Sequence, residues 1–98
     1  MKDFSAKNAE HMTFTLGGKK KYSIPLASSM PMRYARRMTA AAQMDEATAA
    51  TTMLEIELDI LTEYLGADVA DNLTTTQVGD IFSAWSEENT KAGIDSGE

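Results

Sequence analysis

A few side chains in this 98-residue sequence are of types that can do chemistry. His11 is the sole histidine, and Glu55 and Asp59 stand four residues apart, a spacing that puts two carboxylates on one face of a helix. Such pairs bind metals in helical proteins when a Glu-x-x-His motif accompanies them, and none does here. We therefore interpret these acids as solvated, and we predict no catalytic residue and no metal or cofactor site.

Two further kinds of chemistry are disfavoured by what the sequence lacks. Gly17-Gly18-Lys19 superficially resembles a phosphate-binding loop, but the full Gly-x-x-x-x-Gly-Lys-Ser/Thr pattern opening a helix is missing. The chain has no cysteine, which excludes a disulfide, a thiolate nucleophile and a cysteine-based zinc site. We expect a protein that is not an enzyme.

The first element is a β-hairpin over residues 11–26, because polar and apolar residues alternate on both sides of the two glycines. A two-residue turn would pair Phe14 with Lys21 and mix the two faces of the hairpin. A loop one residue longer pairs Phe14 with Tyr22 and Met12 with Ile24, which puts the apolar residues on one face. A five-residue loop also preserves that pattern, and we leave both loop lengths open.

The remainder of the chain has the 3.6-residue periodicity of helices. We predict a mainly α fold, an N-terminal β-hairpin followed by a small bundle of three to four helices, forming a single globular domain over 11–91. The predicted helices cover about 31–43, 45–65, 67–72 and 75–91. Residues 1–10 and 92–98 are predicted to be a flexible N-terminus and a flexible tail.

Local signals fix where the helices begin. Ser28 and Ser29, followed by Pro31, predict hydroxyl caps on the first helix. Thr74 and Gln77 have the spacing of a capping box on the last helix.

Periodicity predicts which side of each helix is buried. Met32, Ala35, Met38 and Ala42 form the predicted inner stripe of the first helix, with the arginines largely outside it. The second helix has a broad apolar band, which predicts that it is the core element. Its central positions are Ala47, Ala50, Leu54, Leu58, Leu61 and Leu65, flanked by Met53, Ile56, Ile60 and Tyr64.

Charge is distributed unevenly along the chain. Residues 1–37 carry eight basic and two acidic side chains, a net of +6, and residues 38–98 carry one lysine and 13 acids, a net of −12. The basic part also contains methionines, whose adaptable side chains suit binding to varied apolar partners. We predict a protein-binding surface here, with core filling and ordinary solvated faces as the alternative. Its residues are Lys19, Lys20, Lys21, Tyr22, Met30, Met32, Arg33, Arg36 and Arg37.

The order of these segments over about 12–98 resembles the tail assembly chaperones of long-tailed bacteriophages. The resemblance is carried by the hairpin at 14–27, the Met-Pro helix start SSMPMRYARRM at 28–38 and the core-helix end DILTEYLG at 59–66. The last helix, LTTTQVGDIFSAWSEEN at 73–89, and the ending KAGIDSGE at 91–98 continue the pattern.

This resemblance implies a function without catalysis. Proteins of that family coat the apolar, coiled-coil-prone tape-measure protein and help recruit the major tail protein during tail-tube assembly, and a longer frameshifted form is made in many phages. It implies a protein of the bacterial host cytoplasm that is absent from the mature virion. Possible self-association through opposite-sign halves is a further expectation.

Other functions remain open at this point. A different virion morphogenesis or head–tail connector protein is one alternative. A small nucleic-acid-binding regulator is another, because the lysines at the hairpin tip and the arginines of the first helix could contact phosphates. The overall acidity, with a pI near 4.7, makes nucleic acid the less favoured partner. Apolar runs are too short for a membrane span, and residues 1–10 lack the apolar run of a signal peptide.

Overall fold

A computed structural model of the protein describes residues 10–18 and 20–91. These residues form a mainly helical fold, a two-stranded antiparallel hairpin followed by four helices, which confirms the predicted fold class. The predicted flexible segments lie outside the described residues, apart from Glu10. The elements are β1 (His11–Leu16), β2 (Lys20–Pro25), α1 (Met32–Ala42), α2 (Glu46–Leu65), α3 (Ala67–Asp71) and α4 (Thr75–Lys91).

The hairpin has the register expected for a loop of three residues. Phe14 pairs with Tyr22 and Met12 with Ile24, so the apolar side chains share one face. Gly17 and Gly18 have φ values of 76° and 85°, a backbone region that favours glycine. The two glycines therefore allow the tight reversal.

The core lies beneath the hairpin and around α2. Helix α2 contacts α1, α3, α4 and β2, as expected of the central element. Its most buried side chains are Ile56, Ile60 and Leu61, so the centre of its buried face lies beside the predicted centre at Leu54 and Leu58. Both leucines are only partly buried at the margin of the core.

The predicted inner stripe of α1 is wrong at two positions. Tyr34 and Ala41 are buried, whereas Met32 and Ala42 are exposed. The two stripes have almost the same period, so the spacing of apolar residues did not distinguish them. Tyr34 faces inward because its ring packs in the core while its hydroxyl donates to the Glu63 carboxylate on α2.

Capping follows the prediction at α4 and departs from it at α1, and α2 has a side-chain cap that was not predicted. The Gln77 side chain accepts from the Thr74 N–H at 2.9 Å and the Thr74 hydroxyl accepts from the Gln77 N–H at 3.1 Å, which confirms the capping box. Asp45 caps α2 by accepting from the Thr48 N–H at 3.0 Å.

The serines before α1 have a different role from the one predicted. Ser28 and Ser29 lie in a 3-10 turn, and no side chain caps α1. Ser29 Oγ accepts from the Glu10 N–H, and the Ser28 hydroxyl donates to the Glu10 carboxylate. The hydroxyls therefore tie the start of β1 to the chain after β2.

Among the helices that the structure describes, none is both long and apolar enough to cross a membrane.

Candidate functional site

The predicted binding residues of the hairpin lie close to its turn. Lys20 and Lys21 are exposed, and Lys19 lies outside the described residues. Lys20 Nζ lies 5.5 Å from the ring centroid of Tyr22, which is half-buried against Phe14. The described lysines therefore form a solvent-facing positive end of the hairpin.

The two predicted methionines lie in opposite environments. Met30 is 9% exposed and belongs to the core, so its predicted role as a surface contact does not fit its burial. Met32 is 67% exposed. The reason is that α1 turns its Tyr34 side inward, which leaves Met32 on the opposite side.

Arg33 is tied to α2. Its Nη2 donates to both carboxylate oxygens of Glu63, and the Tyr34 hydroxyl donates to the same carboxylate. These hydrogen bonds, first that from Arg33 and then that from Tyr34, hold the pKa of Glu63 below its ordinary value. The cluster fixes α1 against α2 and neutralises much of the charge that Arg33 would offer to a partner.

Arg37 is also paired, whereas Arg36 is not. Arg37 Nη1 lies 2.8 Å from Asp59 Oδ2. Asp59, one of the two acids of the Glu55–Asp59 pair, therefore forms an ion pair with α1. Arg36 is exposed and makes no ion pair within residues 10–18 and 20–91. Of the three arginines, all exposed, Arg36 is the one without an acidic partner among the described residues.

Arg36 borders a shallow groove on the outer side of α1, which we name the α1 outer groove. It has a volume of about 360 Å³. Its lining residues are Met32, Ala35, Arg36, Thr39, Ala40 and Gln43. Met32, Arg36, Thr39 and Gln43 recur at intervals of four, three and four residues, the spacing of a coiled-coil seam.

A larger groove lies between β1 and α4, which we name the β1–α4 groove. It has a volume of about 450 Å³. Its lining comprises all six residues of β1 together with Gln77, Asp80, Ile81, Ala84 and Glu88 of α4. Because consecutive strand residues line it, the groove follows the edge of β1 and not just one of its faces.

The pairing pattern shows where the backbone groups of β1 point. The Leu26 N–H donates to the Glu10 carbonyl at 2.8 Å. In an antiparallel ladder, every second residue, counted here from Glu10, exchanges hydrogen bonds with the partner strand. The residues between them point their N–H and C=O groups outward. The outward groups of β1 therefore belong to His11, Thr13 and Thr15, and no other described strand pairs with them.

The opposite edge of the hairpin is covered at its Pro25 end. Pro25 stands at a position whose backbone points away from β1, so its missing N–H removes no bond between the strands. Its carbonyl accepts a hydrogen bond from Trp85 Nε1 at 2.9 Å, and just beyond β2 the Ala27 N–H donates to Asn89 Oδ1 at 2.9 Å. Helix α2 also contacts β2.

Sequence reasoning missed the β1–α4 groove. The signals were present, since β1 has no lysine or proline of the kind that blunts an edge strand. Ile81 has the spacing of a core position of the last helix, and alanine, such as Ala84, is too common in helices to indicate a binding surface. The groove depends on how α4 lies against β1, which no local pattern encodes.

The acids of α2 do not converge on a common centre. Glu55 is exposed, Asp59 is paired with Arg37, and Glu57 is half-buried. Burial raises the pKa of Glu57. Within the residues that the structure describes, no three His, Asp or Glu side chains are grouped as metal ligands.

Comparisons with known proteins identify no relative. No protein-family model matches this chain, and neither the curated proteins nor the solved structures contain a match. Function is therefore inferred from the surfaces of the molecule itself.

Proposed function

We propose that this protein binds and solubilises an apolar, helix-forming segment of another protein, without catalysing a reaction. The specific form of the proposal is a tail assembly chaperone of a long-tailed phage. Its client is then the tape-measure protein, and it helps recruit the major tail protein during tail-tube assembly. The observation that carries the proposal is the α1 outer groove, which combines an exposed methionine, small residues and the guanidinium of Arg36, which makes no ion pair with the residues that the structure describes.

The side chains of the α1 outer groove suit a helical partner. Ala35 and Ala40 are small, so a second helix can approach α1 closely, and Met32 can change rotamer to fill irregular gaps. The four-three-four spacing of its seam matches the periodicity of a coiled-coil-prone client. These features support helix-in-groove binding of an apolar face.

The ion pairs of the arginines indicate which of them is available to orient the client. Arg33 and Arg37 are engaged with acids of α2, so they serve the α1–α2 contact first. Arg36 lies in the groove itself and makes no such pair in the described part of the chain. The sequence predicted binding roles for Lys19, Lys20 and Lys21 and for all three arginines. We assign the role of orienting the client to Arg36.

The proposal is tested by co-expression with a tape-measure protein, with the soluble fraction of the client as the readout. Met32→Asp and Arg36→Glu are expected to reduce that fraction and the amount of complex seen by size-exclusion chromatography. Met44→Asp is the matched control, since Met44 is 41% exposed and lies outside both grooves. Circular dichroism checks that each variant is folded.

Two results would reject the proposal. One is a soluble client fraction that does not change when the wild-type protein is added. The other is equal losses in Met32→Asp and Met44→Asp, which would mean that the α1 outer groove is not the binding surface.

The cellular setting belongs to the same proposal. A chaperone of this kind acts in the cytoplasm of the bacterial host and is absent from purified virions, whereas a head–tail connector is retained in them. Mass spectrometry of purified particles separates the two functions. Self-association through opposite charges predicts oligomers in analytical ultracentrifugation that dissociate as salt is raised.

A further inference from the structure

We propose that the β1–α4 groove is a second protein-binding site, which accepts an extended segment as a third strand on the edge of β1. The occupant is a peptide from another protein whose groove-facing side chains are apolar at the centre and lysine or arginine towards the ends. The site is separate from the α1 outer groove, and its argument does not depend on the client proposed above.

The backbone of β1 supplies the first part of the argument. His11, Thr13 and Thr15 direct their N–H and C=O groups outward, and no described residue hydrogen-bonds to them. An added strand would hydrogen-bond to these groups and extend the sheet, the mode known as β-augmentation. The strand lacks lysine, proline and a bulge, so nothing in β1 opposes such pairing.

The floor of the groove supplies the second part. Phe14 and Leu16 are half-buried, and Ile81 and Ala84 of α4 face the same space. Successive side chains of a strand point to opposite sides, so every second side chain of the occupant would face the groove, and the central ones would enter this apolar floor. The groove therefore suits a peptide with apolar residues at alternate positions of its centre.

Charge selects the groove-facing positions on either side of this apolar floor, because Asp80 and Glu88 lie on α4 together with Ile81 and Ala84. Asp80 and Glu88 belong to the α4 side of the groove, and Lys91, whose Nζ lies 3.8 Å from Glu88 Oε2, is not among its lining residues. Basic side chains on the occupant would therefore find complementary partners. A second copy of this chain is the less favourable occupant, because a β1–β1 seam would bring the acidic α4 sides of both copies together.

The test uses the full chain labelled with ¹⁵N and a capped eight-residue valine–lysine peptide, in which the four groove-facing positions are lysine, valine, valine and lysine and the other positions are threonine. Binding should shift the amide signals of His11, Thr13 and Thr15 and slow hydrogen exchange at Thr13 and Thr15 by about tenfold or more at saturation. Nuclear Overhauser contacts between the peptide and β1 should show the added strand directly.

Two modified peptides separate the contributions of side-chain charge and of backbone hydrogen bonds to binding. A peptide with glutamate in place of lysine should bind at least about tenfold more weakly, since its charges meet Asp80 and Glu88. A peptide N-methylated at the amides that face β1 should lose binding, because it can no longer donate to the strand.

Matched variants locate the site on the protein. Ala84→Trp fills the groove and should abolish peptide binding, whereas Ser83→Trp changes an exposed neighbour outside the groove and should not. Asp80→Lys with Glu88→Lys should weaken binding of the valine–lysine peptide by about tenfold or more. Asp71→Lys with Glu87→Lys makes the same change in net charge outside the groove and should leave binding intact.

Several outcomes would overturn the proposal. These are absence of binding by the folded wild-type chain, equal affinity for the lysine and glutamate peptides, or equal losses of binding in Ser83→Trp and Ala84→Trp. Protection of Thr13 that rises with protein concentration in the absence of peptide would assign the edge to a second copy instead. Met32→Asp should not affect peptide binding, so failure at this groove is distinguishable from failure of the chaperone proposal.

Discussion

The two edges of the hairpin share one alternating pattern of side chains but have opposite environments. The edge of β2 contacts α2, its Pro25 carbonyl accepts from Trp85, and Lys21 lies near its exposed end. The edge of β1 faces a groove, and its outward backbone groups bond to nothing in the described part of the chain. An edge that is integrated into the fold stabilises it, whereas an open edge is available for binding.

The contrast implies a division of roles within one small element. Changes along β2 and its contacts should affect folding, and changes along the outer edge of β1 should affect partner binding with little effect on folding. The expected effects can be ranked, starting from the side chain that is most buried.

The largest effect is expected at Ile24 of β2, which is fully buried. Ile24→Ala should lower the free energy of unfolding by about 2–5 kcal/mol, because it removes buried methyl and methylene groups and leaves a cavity. Thr13→Ala, on the exposed side of β1, should change it by less than about 0.5 kcal/mol. Urea denaturation measures both, and similar losses in the two variants would contradict the division of roles.

The next effect is expected at Asn89, a buried polar residue of α4. Asn89→Ala would leave the Ala27 N–H without its acceptor and should cost about 1–3 kcal/mol of stability. Thr90→Ala is the control, since its exposed hydroxyl bonds only to the preceding turn of the same helix. Thermal denaturation of the two variants tests the difference, and equal melting temperatures would show that the Asn89 bond contributes nothing.

A smaller effect is expected for Trp85→Phe. The phenylalanine keeps most of the apolar contact with Phe82, whose ring centroid lies 5.7 Å away, but cannot donate to the Pro25 carbonyl. We expect a loss of about 1 kcal/mol in the free energy of unfolding, measured in urea. Trp85→Phe with no loss of stability would mean that the covered edge does not depend on this bond.

A similar contrast exists on α1, where Arg33 is bonded to Glu63 and Arg36 makes no ion pair in the described part of the chain. The smallest effect is expected at Glu63. The pKa of Glu63 is lowered from 4.5 in the folded protein, so its stabilising contribution is present above that pH and is lost as pH falls through the lower folded value. Glu63→Gln should reduce stability at neutral pH and make stability fall less steeply below about pH 4.5.

The control for this pH prediction is Glu55→Gln, on the exposed side of the same helix. Urea denaturation at several pH values should give Glu55→Gln the wild-type pH dependence over the acidic range. If the free energy of unfolding of Glu63→Gln falls with decreasing pH as steeply as that of the wild type, the bonds from Arg33 and Tyr34 do not affect stability.

Local features of the fold could be predicted because short-range chemistry determines them. The capping box at Thr74, the end of α2 at Gly66 and the hairpin register each depend on residues close together in sequence. The inward side of α1 could not be predicted in the same way. The predicted stripe with Met32 and the observed stripe with Tyr34 have almost the same period. The hydrogen bond from Tyr34 to Glu63, 29 residues later in the chain, favours the observed one.

The candidate surfaces show the same limit. Methionine density and positive charge pointed to the region of α1, and Met32 and Arg36 do lie together on a groove. The same signals included Met30, which is core, and Arg33 and Arg37, which are paired with acids of α2. Composition counts charges and apolar groups, but it does not say which of them other parts of the same chain already use.

The sequence alone determined the hairpin, its register and the order of the helices, since turns, caps and periodicity act over a few residues. Only the tertiary structure decided which hairpin edge is covered, which arginine is left open and that a groove lies beside β1. Those outcomes depend on how α2 and α4 pack against the first third of the chain. Such long-range contacts form between residues whose separate patterns are compatible with several arrangements.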